Sequence, residues 1–160
     1  MRAHNYHTSM VLPLRIDDVF PFFCDVFNLE RITPPELHFS ILPPYPIEIT
    51  KGTVVDYRLR LYGIPLRWRS EITTWNPPYE FVDRQVWGPY NTWIHSHLFY
   101  ENAGSTIIED IVHYRLPLWP CGEFVAPLVH YQVGRIFRYR KQAIRAALLA
   151  APNISDYSII

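Results

Sequence analysis

The chain has 160 residues, and its 15 lysine and arginine residues balance 15 aspartate and glutamate residues, so the formal net charge is zero. This length predicts one domain with a sizeable buried core, and the neutral balance argues against a general nucleic-acid binder. No apolar run approaches the roughly 20 residues of a membrane span, and the N-terminus lacks the apolar region of a signal peptide. We therefore expect no integral membrane association.

The two cysteines, Cys24 and Cys121, do not have the spacing of metal ligands. We expect both to be reduced thiols in a cytoplasmic protein, because the cytosol keeps thiols reduced. A disulfide between them is the alternative.

The N-terminal region predicts one strand followed by short helical segments. The strand is expected from about His4 to Leu12. A short helix follows from Ile16, where two aspartates near the positive N-terminus of the helix favour its formation. A further helical turn is expected over Asn28–Ile32, ahead of a proline pair that ends it.

Five runs that alternate between apolar and polar residues predict strands. The connections are short, and Asn102-Ala103-Gly104 between the last two runs is typical of a hairpin turn. Short connections join antiparallel neighbours, so the pattern predicts an antiparallel meander. The runs are Thr53–Leu61, Leu66–Trp75, Glu80–Trp87, Thr92–Glu101 and Thr106–Arg115.

From about Phe124 the spacing of apolar residues changes to that of a helix. One stripe is apolar and the opposite side is basic or amide-bearing, which predicts a long amphipathic helix. A long helix packed on an antiparallel sheet is an α+β arrangement. The apolar stripe contains Val129, Val133, Ile136, Phe137, Ile144, Ala147 and Leu148, and the opposite side contains Arg135, Arg138, Gln142 and Arg145.

The most informative run is Asn91–Glu101, which reads N-T-W-I-H-S-H-L-F-Y-E. Successive side chains of a strand point to opposite faces, so Trp93, His95, His97 and Phe99 share one face. In a dry core both imidazoles would need partners, because an unpaired buried polar group costs about 1–3 kcal/mol. The pattern therefore favours the wall of an amphipathic cavity.

The neighbouring strands are expected to supply polar partners for these histidines. On the strand from Glu80, the aromatic-bearing face carries Phe81, Asp83, Gln85 and Trp87, which would place Asp83 and Gln85 inside. On Thr106–Arg115 two faces compete, because a one-residue change in the hairpin loop reverses the alternation. One face carries Ile108, Asp110, Val112 and Tyr114, and the other carries Ile107, Glu109, Ile111 and His113.

Arg140 lies near the centre of the apolar stripe, between Phe137 and Ile144. An unpaired guanidinium at such a position would cost several kcal/mol. We expect Arg140 to pair with Asp110 or with Asp83, Asp110 being preferred, or to bind the anionic group of a ligand.

Arginines also line a predicted hairpin. With Gly63-Ile64 at the turn, Arg60 would face Arg67 and Arg58 would face Arg69. Like charges opposite each other in a sheet are mildly destabilising. The side chains either splay into water, relieved by nearby acidic residues, or form a surface for an anionic partner such as a phospholipid headgroup or an acidic protein.

Four motifs resemble the START-like (SRPBCC) superfamily, which includes polyketide cyclase/dehydrase-like and Bet v 1-like helix-grip proteins, in its bacterial branch. The resemblance covers nearly the whole chain. It implies a curved antiparallel sheet of about seven strands wrapped on a long C-terminal helix, with two short helices near the N-terminus. The motifs are Leu29-Glu30-Arg31-Ile32-Thr33-Pro34-Pro35, Trp93-x-His95-x-His97-x-Phe99, Asp110-x-Val112-x-Tyr114-x-Leu116-Pro117 and Phe137-Arg138-Tyr139-Arg140.

This resemblance further implies one ligand-binding domain over residues 1–150 and a tail over 151–160. It implies an internal pocket for lipids, polyketides, sterols, quinones or hormones, and in some members a cyclase or hydrolase activity. Its Asp-x-Val-x-Tyr pattern favours Asp110 on the inner face and leaves Glu109 in reserve. We expect no cofactor and no metal. Two histidines at i and i+2 with a nearby carboxylate could ligate zinc, but the sequence holds no motif of known metal spacing.

Three functions stay open. The leading one is binding of a small, mostly hydrophobic ligand of the lipid, polyketide or quinone type. The second is a cyclase- or dehydrase-type enzyme with His95, His97 and Asp110 as acid–base candidates. The third is an interaction protein that uses the arginine hairpin. A hydrogen-bond network that only shapes the fold is the competing interpretation of the polar residues. The predicted ligand contacts are Tyr57, Leu59, Trp68, Phe81, Asp83, Gln85, Trp87, Trp93, His95, His97, Phe99, Asp110, Tyr114 and Arg140.

Overall fold

The computed structural model describes residues 2–150, so the predicted tail over 151–160 lies outside the described residues. Its strands are β1 (His4–Leu12), β2 (Ser40–Ile41), β3 (Val54–Leu61), β4 (Ile64–Asn76), β5 (Glu80–Trp87), β6 (Thr92–Asn102) and β7 (Ser105–Arg115). Its helices are α1 (Ile16–Cys24), α2 (Val26–Arg31) and α3 (Ala126–Leu149), with 3₁₀ turns at Pro35–Leu37 and Cys121–Val125.

All seven strands form one antiparallel sheet in the order β1-β7-β6-β5-β4-β3-β2. From β3 to β7 each strand pairs with the next one in the chain, and β1 closes the sheet against β7. The predicted α+β helix-grip arrangement is confirmed. Among the strands within residues 2–150, the sequence pattern missed β2, which is two residues long and is followed by a proline-rich segment.

A two-residue turn fixes the register of the β3–β4 hairpin. Tyr62 (φ 51°) and Gly63 (φ 80°) both adopt the left-handed conformation that matches the twist of a hairpin. The turn therefore lies one residue earlier than predicted. As a result Arg58 faces Arg67, and the predicted pairing of Arg58 with Arg69 is wrong.

This register changes the charge of the hairpin surface. Arg69 faces Asp56 and donates two hydrogen bonds of 2.8 Å to its carboxylate. Arg58 donates to the Ser40 hydroxyl at 2.9 Å. Arg60 lies opposite Pro65, so it does not face Arg67 as predicted. An anionic partner for this hairpin stays a prediction. One of its four arginines, Arg69, is neutralised by the ion pair with Asp56.

Helix α3 packs its apolar face against the inner face of the sheet. Val133 and Phe137 belong to one buried cluster with Val112 and Tyr114 of β7. Ile144 belongs to a second cluster, which combines residues of α1 and α2 with residues from all seven strands. On the opposite side of α3, Arg138, Gln142 and Arg145 are exposed, whereas Arg135 is half-buried and forms an ion pair with Glu36. Within residues 2–150, no helix combines the length and apolar character needed to cross a bilayer.

Helix α1 covers the other end of the same sheet face. Phe20 packs against Phe81 and Phe99, with ring centroids 6.3 and 5.2 Å apart. Phe23 packs against Phe99 at 5.0 Å. The sheet is thus gripped by α3 along one part and by α1 along another, and a cavity lies between them.

The cysteines provide a test of this packing. Both are free thiols; Cys121 is exposed, whereas burial raises the pKa of Cys24 to about 11. Because the thiolate is the nucleophile, we expect iodoacetamide at about pH 8 to alkylate Cys121 and spare Cys24 until the protein is denatured. Peptide mass spectrometry measures this. The Cys121→Ser variant should stay unmodified while folded, and rapid alkylation of Cys24 in it would contradict the packing of α1.

Candidate functional site

A cavity of about 210 Å³ lies between the sheet, α3 and the α1–α2 segment. Its walls are mostly apolar and aromatic, and its polar groups come from β4 to β7 and from α2 and α3. The apolar lining includes Phe22, Phe23, Leu29, Ile32, Phe39, Val55, Tyr57, Leu59, Leu66, Trp68, Ile72, Phe81, Trp93, Val133, Ile136, Phe137 and Ile144. The polar lining includes Asn28, Ser70, Asp83, His95, His97, Asp110, Gln132, Arg140 and Lys141.

The strand register brings four polar side chains together on this inner face. His95 on β6 is directly opposite Asp83 on β5, and His97 is directly opposite Asp110 on β7. Directly opposite residues in an antiparallel pair share a face. Each histidine is therefore flanked by one carboxylate on a neighbouring strand and lies diagonal to the other. We call Asp83, His95, His97 and Asp110 the His–Asp cluster.

Four nitrogen–oxygen contacts hold the His–Asp cluster together. His95 Nε2 lies 2.9 Å from Asp110 Oδ1, and His95 Nδ1 lies 3.4 Å from Asp83 Oδ2. His97 Nε2 lies 3.3 Å from the same Asp83 Oδ2, and His97 Nδ1 lies 3.1 Å from Asp110 Oδ1. Asp110 Oδ1 is close to His97 Nδ1 but does not lie in the direction of a hydrogen bond from it. His97 Nδ1 therefore has no hydrogen-bond partner among residues 2–150.

Both histidines face α3, as predicted. His95 is only 4% exposed, and its ring meets the edge of Phe137 on α3 with centroids 5.3 Å apart. The ring of His97 stacks on Phe81 at 4.1 Å and lies 3.8 Å from the ring of His95. The prediction that Trp93, His95, His97 and Phe99 share the inner face is confirmed.

The electrostatics of the cluster favour charged carboxylates. Burial alone would raise the pKa of the Asp83 and Asp110 carboxyls, but contacts with His95 and His97 outweigh it and hold both pKa values well below the usual range. Burial likewise lowers the pKa of His95, but its contacts with Asp110 and Asp83 outweigh that effect and leave the pKa above the usual value. Near neutral pH two negative charges therefore lie in the cavity wall.

Ser70 connects the cluster to the aromatic wall. Its hydroxyl donates to Asp83 Oδ1 at 3.3 Å and accepts from the Trp68 indole at 3.0 Å. The Tyr57 hydroxyl lies 3.2 Å from the Ser70 hydroxyl oxygen. Ser70 was not among the predicted site residues. A single hydroxyl within an otherwise apolar face was the signal that could have identified it.

Arg140 lines the cavity but does not form the predicted ion pair. Among residues 2–150, no carboxylate oxygen of Asp83 or Asp110 lies within 4.0 Å of its guanidinium nitrogens. The guanidinium lies over the Phe137 ring at 5.3 Å, and its Nε is buried without a hydrogen-bond partner in the described chain. Its position on the inner stripe of α3 was predicted correctly, and its pairing with Asp110 was not.

Four predicted contact residues do not line the cavity. The last residues of β5 pair only with β4, where a register shift between Arg69 and Ser70 sets Trp87 opposite the outward-facing Arg69. Trp87 is consequently 59% exposed, and the Gln85 side chain bonds the backbone of Tyr90 at 2.6 Å. The loop that Gln85 holds contributes Tyr90 to the lining, a residue that the alternation of strands does not mark.

The other two predicted contact residues that do not line the cavity, Phe99 and Tyr114, are packed too tightly to face a ligand. Phe99 is fully buried beneath Phe20 and Phe23 of α1. Tyr114 is buried near α3, and its hydroxyl lies 3.4 Å from His130 Nδ1. Glu109 points to the opposite face of β7, 3.8 Å from His7, and is no part of the cluster.

The lining from α1 and α2 was also missed. Those residues occupy a helix surface that sequence periodicity assigns to the core, and only the packed structure separates cavity lining from core. The nine predicted contact residues other than Arg140 that do line the cavity are Tyr57, Leu59, Trp68, Phe81, Asp83, Trp93, His95, His97 and Asp110.

No protein-family model and no curated protein matches the sequence. Solved structures match the fold over nearly the whole chain. The protein TTHA0849 from Thermus thermophilus is 14% identical, with 94% of this chain and 100% of that chain covered and a TM-score of 0.74. The Zhui aromatase/cyclase from Streptomyces sp. R1128 is 16% identical, with 94% and 99% covered and a TM-score of 0.67.

Norcoclaurine synthase from Thalictrum flavum, in complex with dopamine and hydroxybenzaldehyde, is 13% identical, with 95% of this chain and 90% of that chain covered and a TM-score of 0.69. At these identities the likeness concerns the fold. It is the helix-grip fold of START-like and Bet v 1-like proteins, in agreement with the resemblance of the sequence motifs.

The cluster makes Asp110 a test of the site geometry. Removing one partner of a buried charged contact leaves the others unpaired, so Asp110→Asn should lower the free energy of unfolding by about 3 kcal/mol. Glu109→Gln, one position away on the outer face, should change it by less than about 0.5 kcal/mol. Urea unfolding followed by circular dichroism measures both. Equal effects of the two variants would show that Asp110 is not the inward carboxylate.

Proposed function

We propose that the protein binds a small, mostly hydrophobic ligand in the cavity, with the polar end of the ligand at the His–Asp cluster and Arg140. The observation that carries this proposal is the distribution of lining groups: apolar and aromatic walls with a few convergent polar groups, which is the usual form of a small-molecule site. A purely structural network would not require a cavity beside it.

The size of the cavity limits the ligand class. A volume of about 210 Å³ is below the roughly 300–1,000 Å³ of pockets for drug-sized ligands. This favours a compact molecule, such as a one- or two-ring aromatic of the polyketide or quinone type, or an acyl chain of medium length. The aromatic lining from Tyr57, Trp68, Trp93 and Phe137 suits a flat ring through offset or edge-to-face contacts.

The structural neighbours support a ligand of this kind. The norcoclaurine synthase structure holds two small aromatic molecules, dopamine and hydroxybenzaldehyde, and another neighbour is an aromatase/cyclase. Both share the fold at low identity, so they support the class of ligand rather than its identity.

Arg140 supports an acidic polar end. Its guanidinium is permanently charged, and its buried Nε has no hydrogen-bond partner in the described chain. A carboxylate or phenolate of a ligand would supply that partner through a charge-assisted hydrogen bond. Binding would then satisfy a donor that the described residues leave unpaired.

The test compares acidic and neutral ligands of the same shape. We expect decanoic acid and naphthoic acid to bind more tightly than decanol and naphthalenemethanol in isothermal titration calorimetry. Arg140→Met should weaken binding of the two acids about tenfold or more, because a hydrogen bond to a charged group contributes roughly 1.5–3 kcal/mol. It should leave binding of the two alcohols nearly unchanged.

Arg138→Met is the matched control, since Arg138 is two residues away on the exposed side of the same helix. It should bind all four compounds like the unmodified protein. The proposal would be refuted if none of the four compounds bound. It would also be refuted if Arg138→Met and Arg140→Met weakened binding of the two acids equally. Chemical conversion of a bound compound would show that the cavity catalyses a reaction in addition to binding.

A further inference from the structure

In the His–Asp cluster, the number of ring nitrogens in contact with a carboxylate oxygen exceeds the number of N–H groups that two neutral imidazoles carry. All four ring nitrogens of His95 and His97 lie within 3.4 Å of a carboxylate oxygen. A neutral imidazole has one N–H donor and one lone pair. If His95 donates from Nε2 to Asp110 at 2.9 Å, its Nδ1 lone pair points towards Asp83 Oδ2. Two electron-rich atoms face each other there unless a cation lies between them.

The distances around Asp83 Oδ2 match those of a metal coordination sphere. This oxygen lies 3.4 Å from His95 Nδ1 and 3.3 Å from His97 Nε2, and one ligand atom from each of the three residues lies within 4.8 Å of the other two. Zinc binds histidine nitrogen and carboxylate oxygen at about 2.0–2.2 Å, so neighbouring ligands of a tetrahedral site are roughly 3.3–3.6 Å apart. Two of the three separations therefore match a tetrahedral site, and the third lies within 4.8 Å, so the three residues are close enough to share one cation.

The surrounding groups resemble the support that metal ligands usually have. Asp110 Oδ1 accepts from His95 Nε2 at 2.9 Å, which fixes the tautomer that presents Nδ1 to the cation. The Ser70 hydroxyl donates to Asp83 Oδ1 at 3.3 Å and leaves Oδ2 as the ligand atom. Both second contacts come from strands that flank the three ligands.

We propose that Asp83 Oδ2, His95 Nδ1 and His97 Nε2 bind one divalent first-row transition metal ion, with zinc or ferrous iron as the class of cation. Two imidazoles and one carboxylate suit such ions and disfavour magnesium and calcium, which prefer all-oxygen sites. Asp110 and Ser70 are positioning residues that orient the ligands. All three ligands line the cavity, so the remaining coordination positions face the space that a small molecule would enter.

The absence of a recognised metal motif in the sequence has a structural explanation. The ligands come from two adjacent strands, β5 and β6, and the pair on β6 is separated by one residue. Known short motifs place ligands on one helix or on one loop, whereas this set converges only through cross-strand pairing. The proposed ion does not depend on the ligand proposed above, because the metal alone can be titrated.

The experiment uses the full-length chain without a polyhistidine tag, stripped with a chelator and titrated with Co²⁺ and Zn²⁺. We expect one equivalent of Co²⁺ to bind, to produce the visible absorption bands of a low-symmetry site, and to be displaced by Zn²⁺ but not by Mg²⁺ or Ca²⁺. Asp83→Asn and His97→Gln should abolish the bands or weaken Co²⁺ binding by about 100-fold or more, since each removes a ligand. Asp110→Asn should weaken it about 10–100-fold, as expected when the partner of a ligand is removed.

His113→Gln is the matched control, because this exposed histidine lies on the outer face of β7 and bonds Asn5. It should bind Co²⁺ like the unmodified chain. Circular dichroism of each variant establishes that it is folded, and His97→Gln keeps the test valid if Asp110→Asn does not fold. Failure of the folded, unmodified chain to bind Co²⁺ or Zn²⁺, or retention of binding in both Asp83→Asn and His97→Gln, would overturn the proposal and leave protons as the cations of the cluster.

Discussion

The pairing of β5, β6 and β7 is the constraint on which the rest of the site depends. Period-2 alternation alone puts His95 and His97 on the inner face, but the register decides that they meet Asp83 and Asp110 there. A shift of one residue would turn the whole set outward and bring apolar residues such as Ile94 to the cavity. The polar contacts and the apolar packing of α3 therefore require the same register, and each reinforces the other.

Burying this set is a poor way to stabilise a fold. Apolar residues of similar volume often serve as well or better than a buried ion pair, because they avoid the cost of desolvating charges. The aromatic packing around Phe20, Phe99 and Phe137 already supplies a core. On the proposed function, the two ionised carboxylates and the Arg140 guanidinium beside the cavity serve ligand binding, at some cost to stability.

Much of the fold and part of the site could be predicted from the sequence. The bounds of β5 and the inner face of β6 were predicted because long alternating runs determine both. Features that depend on register shifts between strands could not be predicted: Trp87 lies outside the cavity because a shift between Arg69 and Ser70 sets it opposite the outward-facing Arg69. The connection of Ser70 to Asp83 and the unpaired Nε of Arg140 depend on distances across the sheet and cavity, which a linear pattern does not contain.

The central claim is that the cavity, and not the outer surface, receives an apolar ligand. The surface offers a real alternative, because Leu118, Trp119 and Phe124 before α3 are exposed large apolar residues. Intermolecular nuclear Overhauser effects in the complex with naphthoic acid distinguish the two directly. The account predicts contacts from the naphthalene ring to Phe137, Trp93 and His97. Contacts confined to Trp119 and Phe124 would contradict it.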